Sequence, residues 1–71
     1  MLPKKVEAGF NQQIRHELES AFLYLSASAY FTAENLEGMA HWMKVQYEEE
    51  MKHAFRFYGE TNDRSGRVEV P

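Results

Sequence analysis

Apolar residues return every third or fourth position from Val6 onward: Val6, Phe10, Ile14, then Ala21, Tyr24, Ser28 and Phe31. Leu18, Phe22 and Leu25 widen the stripe. That period is helical and predicts an amphipathic helix from about residue 3 to about residue 33. Pro3 suits a first helical turn, where its missing N–H has no intrahelical partner to lose. Gly9 costs this helix about 1 kcal/mol relative to alanine. Residues 34–38, Glu-Asn-Leu-Glu-Gly, carry turn chemistry. A second periodic stretch (Met39, Met43, Gln46 and Phe57, with Trp42, Tyr47, Ala54 and Tyr58 beside it) predicts a helix from about residue 39 to about residue 62. Asn62-Asp63-Arg64-Ser65-Gly66 ends it. Residues 63–71 read as an extended tail, too short to fold alone.

Two long helices joined by about four residues must lie antiparallel. At about 1.5 Å per residue each spans roughly 36–45 Å. The pattern therefore describes an all-α single domain over residues 1–71, an antiparallel two-helix hairpin. Such a hairpin buries only its inner face. The remaining apolar surface, rich in Phe, Tyr, Met and Trp, calls for another two helices.

Three polar residues interrupt the stripes at core positions. The first helix runs Phe10, Ile14, Glu17, Ala21, Tyr24, and the second Met43, Gln46, Glu50, His53, Phe57. Folded about residue 35 or 36, the hairpin brings Glu17, Glu50 and His53 within about one turn of the same height. Burying a carboxylate without a partner costs several kcal/mol, so buried charges are paired or bind metal. Arg15, Lys52 and Arg56 point elsewhere by periodicity, so a metal is the simplest compensation. Two carboxylates and an imidazole suit iron, manganese or zinc.

Each residue also has an ordinary reading. A bare Glu-x-x-His arises about 0.4 times by chance in a shuffled chain of this composition. A lone helical Glu is commonly solvated, a lone core His commonly just hydrogen-bonded, and Glu48-Glu49-Glu50 can be a charged face. The joint placement of three residues favours the ligand reading. Tyr24 and Tyr47 read as core aromatics with a polar tip. Met39, Trp42 and Met43 read as packing, and His16 and His41 as surface residues.

Composition narrows the setting. A chain of 71 residues is marginal alone and usually adds disulfides, a metal or a partner. It has no Cys, which leaves metal and oligomerisation. Hydrophobic content of 44% with a net charge of −3 fits a folded chain. Eight scattered Lys and Arg form no basic stripe for nucleic acid. No apolar run reaches the ~18–20 residues of a membrane span, and the polar segment after Lys5 is unlike a signal peptide. A soluble cytoplasmic protein is the expectation.

The text around the three ligands resembles the N-terminal half of a prokaryotic non-haem ferritin. The resemblance is clearest in Asn11-Gln12-Gln13-Ile14-Arg15-His16-Glu17-Leu18, in Leu36-Glu37-Gly38-Met39-Ala40-His41-Trp42, and in Gln46-Tyr47-Glu48-Glu49-Glu50-Met51-Lys52-His53-Ala54. Rubrerythrins share the ligand logic but resemble this sequence less. The resemblance implies that Glu17, Glu50 and His53 are ligands of the first iron of a ferroxidase centre, with Glu50 bridging to the second. It implies that Tyr24 lies close to that centre and that Glu49 is an accessory iron ligand. The implied chemistry is oxidation of Fe(II) to Fe(III) by dioxygen or peroxide, followed by storage inside a cage.

Ferritins draw their remaining ligands from a second helix pair, and this sequence stops as the crossover to it begins. A homodimer would repair this: two hairpins form a four-helix bundle and supply each of the three ligands twice, the pattern of di-iron carboxylate bundles. Four Glu then carry −4 against +4 for two Fe(II). Two other functions fit the same residues. One is a truncated ferritin segment acting as a non-catalytic helical assembly module. The other is a rubrerythrin-like or manganese di-metal protein that handles peroxide.

Overall fold

The computed structural model describes residues 2–71, which form two helices, α1 (Lys4–Ala33) and α2 (Glu37–Asp63). Ser28 meets Ala40, Glu17 meets His53 and Phe10 meets Phe57, so one helix rises as the other descends. The antiparallel hairpin measures 49 × 16 × 12 Å. Its length matches the ~45 Å expected of a 30-residue helix. No described helix is long and apolar enough to cross a membrane.

The helix ends fall close to the positions the pattern predicts. Pro3 stands just outside α1 at the cap position, with φ −59° and ψ 144°, rather than inside its first turn. α2 begins two residues early, at Glu37, which shortens the connection to Glu34–Leu36. Both helices stop by the same device. At the end of α1, Leu36 N–H donates to Phe31 O (2.9 Å) and Asn35 N–H to Thr32 O (3.0 Å), with Asn35 left-handed at φ 61°. At the end of α2, Gly66 N–H donates to Thr61 O (2.8 Å) and Ser65 N–H to Asn62 O (3.1 Å), with Ser65 at φ 62°. These are Schellman motifs, which satisfy the last carbonyls by reversing the chain. The left-handed position after α2 is Ser65, not the neighbouring glycine. Gly66 is small for another reason: a Cβ there would lie 2.8 Å from Leu2 Cδ2 and 3.0 Å from Thr61 Cγ2.

The seam between the helices is built from small side chains. Ala21, Ser28, Ala40, Ala54 and Thr61 are buried along with Ile14 and Leu2. Small residues let the backbones approach, so Ser28 Oγ donates across the seam to Ala40 O at 2.8 Å. Thr61 Oγ1 donates to Phe57 O at 2.7 Å. No buried side-chain N or O among the described residues lacks a partner. Phe10 and Phe57 stack at the lower end of the hairpin, 5.7 Å apart. Several residues assigned to the stripes instead face outward. Phe22, Leu25, Met39, Trp42 and Tyr58 are exposed, because two helices offer only one face to each other.

The tail is extended, as expected, but it does not hang free. It runs back along α1 and hydrogen-bonds to two α1 side chains. Arg67 N–H donates to Glu7 Oε2 (2.9 Å), Asn11 Nδ2 to Arg67 O (2.9 Å), and Glu69 N–H to Asn11 Oδ1 (2.8 Å). The Asn11 amide thus serves residues 67 and 69 as a neighbouring strand would. Val70 then borders an apolar groove of about 210 Å³ with Ile14, Leu18, Met51, Ala54, Phe55 and Tyr58.

Candidate metal centre

Midway along the hairpin three ligand-type side chains converge. α1 supplies Glu17, and α2 supplies Glu50 and His53 from successive turns of one face. A carboxylate oxygen from each Glu and one ring nitrogen of the His all lie within 4.8 Å of one another. His53 Nδ1 is 3.3 Å from Glu17 Oε2 and 3.6 Å from Glu50 Oε1. Two donors each ~2.1 Å from a shared metal, at angles between octahedral and tetrahedral, stand about 3.0–3.4 Å apart. The His53–Glu17 separation lies in that range and the His53–Glu50 separation just beyond it. The donor set, two carboxylates and an imidazole, suits Fe(II), Mn(II) or Zn(II).

The electrostatics point the same way. Glu50 is pushed above the ordinary carboxylate value, first by a hydrogen bond to Glu17, then by burial and by the charge on Glu17; His53 pulls in the opposite direction. Each described salt bridge of a Lys or Arg engages another acid: Lys4 with Glu7, Lys52 with Glu49, and Arg64 with Glu60. The cluster is thus a half-buried acidic pair lacking a described Lys or Arg partner, a condition a divalent ion would relieve.

The cluster is open on one side. The Glu17 and Glu50 side chains are 15% and 22% exposed, but His53 is 48% exposed. The sequence pattern places His53 in a core slot; in a lone hairpin that slot faces outward. Tyr24 sits two turns above Glu17 on α1, half-buried, and forms no described hydrogen bond with the three. Glu49 is exposed, 3.6 Å from Lys52, and lies outside the group of three. His16 and His41 are exposed, as their positions off the stripe predict.

Sequence reasoning missed Gln13. Its Nε2 donates to Glu17 Oε1 at 3.3 Å from one turn below. The signal was available: Gln13 and Glu17 are four apart on one helix, a spacing that brings side chains together.

A helical hairpin with two carboxylates and a histidine converging from facing helices has the donor pattern seen in one half of carboxylate-bridged metal bundles. The profile of the ferritin-like domain family matches residues 7–71, and the chain belongs to that family. It is 43% identical over 70 residues to a bacterial non-heme ferritin of Bacteroides fragilis (strain 638R), a match covering 99% of this chain and 44% of that protein. It is 41% identical over 64 residues to Ferritin-1, chloroplastic, of Brassica napus, covering 87% of this chain and 25% of that protein. Among solved structures, an engineered closed form of the Archaeoglobus fulgidus ferritin superposes with a TM-score of 0.94 at 38% identity, over 100% of this chain and 43% of that one. An open-pore ferritin from the same archaeon gives 0.92 at 38% identity, over 99% and 43%. The chain spans less than half the length of these bacterial and archaeal relatives. The all-α hairpin is thus one helix pair of the ferritin-like fold.

Proposed function

We propose that this chain binds iron through Glu17, Glu50 and His53 and oxidises Fe(II) to Fe(III) at a di-iron site that a second helix pair completes. The observation that carries this reading is the cluster itself: three donor atoms within 4.8 Å, drawn from both helices, with no described Lys or Arg paired to its carboxylates.

Iron is the substrate here. Two Fe(II) ions each give up one electron, and dioxygen takes both, with two protons, to leave hydrogen peroxide. With peroxide as oxidant, the same two electrons and two protons yield two waters. The protein's part is positioning and charge. Glu17 and His53 hold the first ion from opposite helices, and Glu50 lies between it and the second. Four carboxylates from two hairpins would balance two Fe(II). Tyr24 serves as a redox-capable side chain near the site. Glu49 serves as an accessory ligand once it leaves Lys52, a surface pair of ~0–1 kcal/mol.

In the preferred arrangement the second helix pair belongs to a second copy of this chain, so that three ligands become six. A cytoplasmic setting and storage of ferric iron in a larger assembly belong to the same reading. The alternative is a helical module completed by a different helix pair, favoured by the 44% coverage of the bacterial relative. Adding Fe(II) to the purified chain under dioxygen, while following the ferric absorbance, tests the oxidation. Saturation at one iron per chain is expected, slowed by more than about 100-fold in Glu50→Ala and His53→Ala. Equal rates in wild type and both variants would overturn the assignment.

A further inference from the structure

Glu17 presents its two oxygens to different neighbours. Oε2 faces His53 Nδ1 at 3.3 Å, and Oε1 accepts from Gln13 Nε2 at 3.3 Å. The final torsion of a glutamate is broad and nearly free, so nothing in the side chain itself selects one oxygen over the other. Gln13 does select. It is half-buried one turn below Glu17 and on the same face. Only the NH₂ end of its amide can donate to a carboxylate oxygen, so Glu17 dictates how Gln13 sits.

We propose that Gln13 is a positioning residue for the metal centre, holding Oε1 of Glu17 aside so that Oε2 is the oxygen offered to the ion. This rests on the metal-binding reading of Glu17, Glu50 and His53. The chemistry explains why an amide stands here. A Lys or Arg at position 13 would also grip Glu17, but its charge would cancel the field that draws a cation in. A neutral donor orients the carboxylate and leaves the cluster acidic. Groups that orient ligands in this way change metal affinity by about 10–100-fold when removed.

The test uses Co(II), which does not oxidise in air at such donors and reports its surroundings in visible absorption. Gln13→Met keeps the length and helix propensity of glutamine but removes the donor. Helicity and oligomeric state should match wild type, the Co(II) dissociation constant should rise about 10–100-fold, and the visible band should shift as the Glu17 carboxylate turns. Gln13→Ala, which also lacks the donor and favours helix, replaces it if the Met variant loses helicity, with the same expectation. Wild-type affinity and an unchanged band in the donor-free variant, while Glu17→Ala abolishes binding, would overturn this inference alone. Failure of the wild-type chain to bind Co(II), or full binding by Glu17→Ala, would overturn the underlying metal reading and this inference with it.

Discussion

Glu17 raises the Glu50 carboxyl above its ordinary value, so placing both charges side by side without a cation between them is unfavourable. Glu50→Gln puts a neutral amide N–H donor beside the Glu17 carboxylate and removes the like-charge repulsion. The metal-free variant is therefore expected to gain about 0.5–1.5 kcal/mol, the range of a single hydrogen bond. For a chain this small that raises the melting temperature by several degrees, about 4–8 °C per kcal/mol. Added metal should stabilise wild type and leave Glu50→Gln unmoved. A variant that melts at or below metal-free wild type would contradict this picture of the pair. The convergence of Glu17, Glu50 and His53 was legible in the sequence because they broke an apolar period at matching heights. Gln13 was not, because a polar residue next to a stripe looks the same whether it faces solvent or a carboxylate.

At the scale of elements, the helices were legible and their contact was legible in part. The period of Phe10, Ile14, Ala21 and Tyr24 gives α1 its extent, and Asn35 and the Asn62–Gly66 run give both stops. Of the seam residues, Ala21 and Ser28 fell in the first stripe and Ala54 beside the second, whereas Ala40 and Thr61 are too small to stand out in a hydrophobic pattern. The docking of the tail was invisible for a related reason. It depends on Glu7 and Asn11, which read as ordinary polar surface until the backbone of residues 67–69 arrives. That contact predicts a pH dependence. The Arg67 backbone N–H, more than Lys4, holds Glu7 below its ordinary value of 4.5. A carboxylate lowered by folding stabilises the docked state above its ordinary value and loses that contribution as pH falls through the lowered one. The Arg67 amide proton, followed by NMR during acidification, should therefore shift with a midpoint below 4.5. A midpoint at or above 4.5 would mean that Glu7 does not hold the tail.

The whole molecule has more surface than a compact protein of its mass. Its 5320 Å² compares with about 4,600 Å² expected for a compact chain of 8.3 kDa. The excess, roughly 700 Å², is close to the ~800 Å² that one partner contributes to a standard interface. Much of it is apolar: Phe22, Leu23, Tyr30, Trp42 and Phe55 are each more than half exposed. His53, on the open side of the Glu17–Glu50–His53 group, is exposed as well. On the proposed metal-binding reading, this surface and that open group have one remedy in common, a second helix pair laid against the first. The sequence called for that pair from its leftover aromatics, and the hairpin shows those aromatics outside its seam. Sedimentation equilibrium of the purified chain, run metal-free and with Fe(II) under anaerobic conditions, asks whether a second copy supplies it. The expected result is a dimer holding two irons, with iron lost and the dimer weakened or unchanged in Glu50→Ala. A monomer at all iron concentrations, or a dimer that binds no iron, would contradict the account.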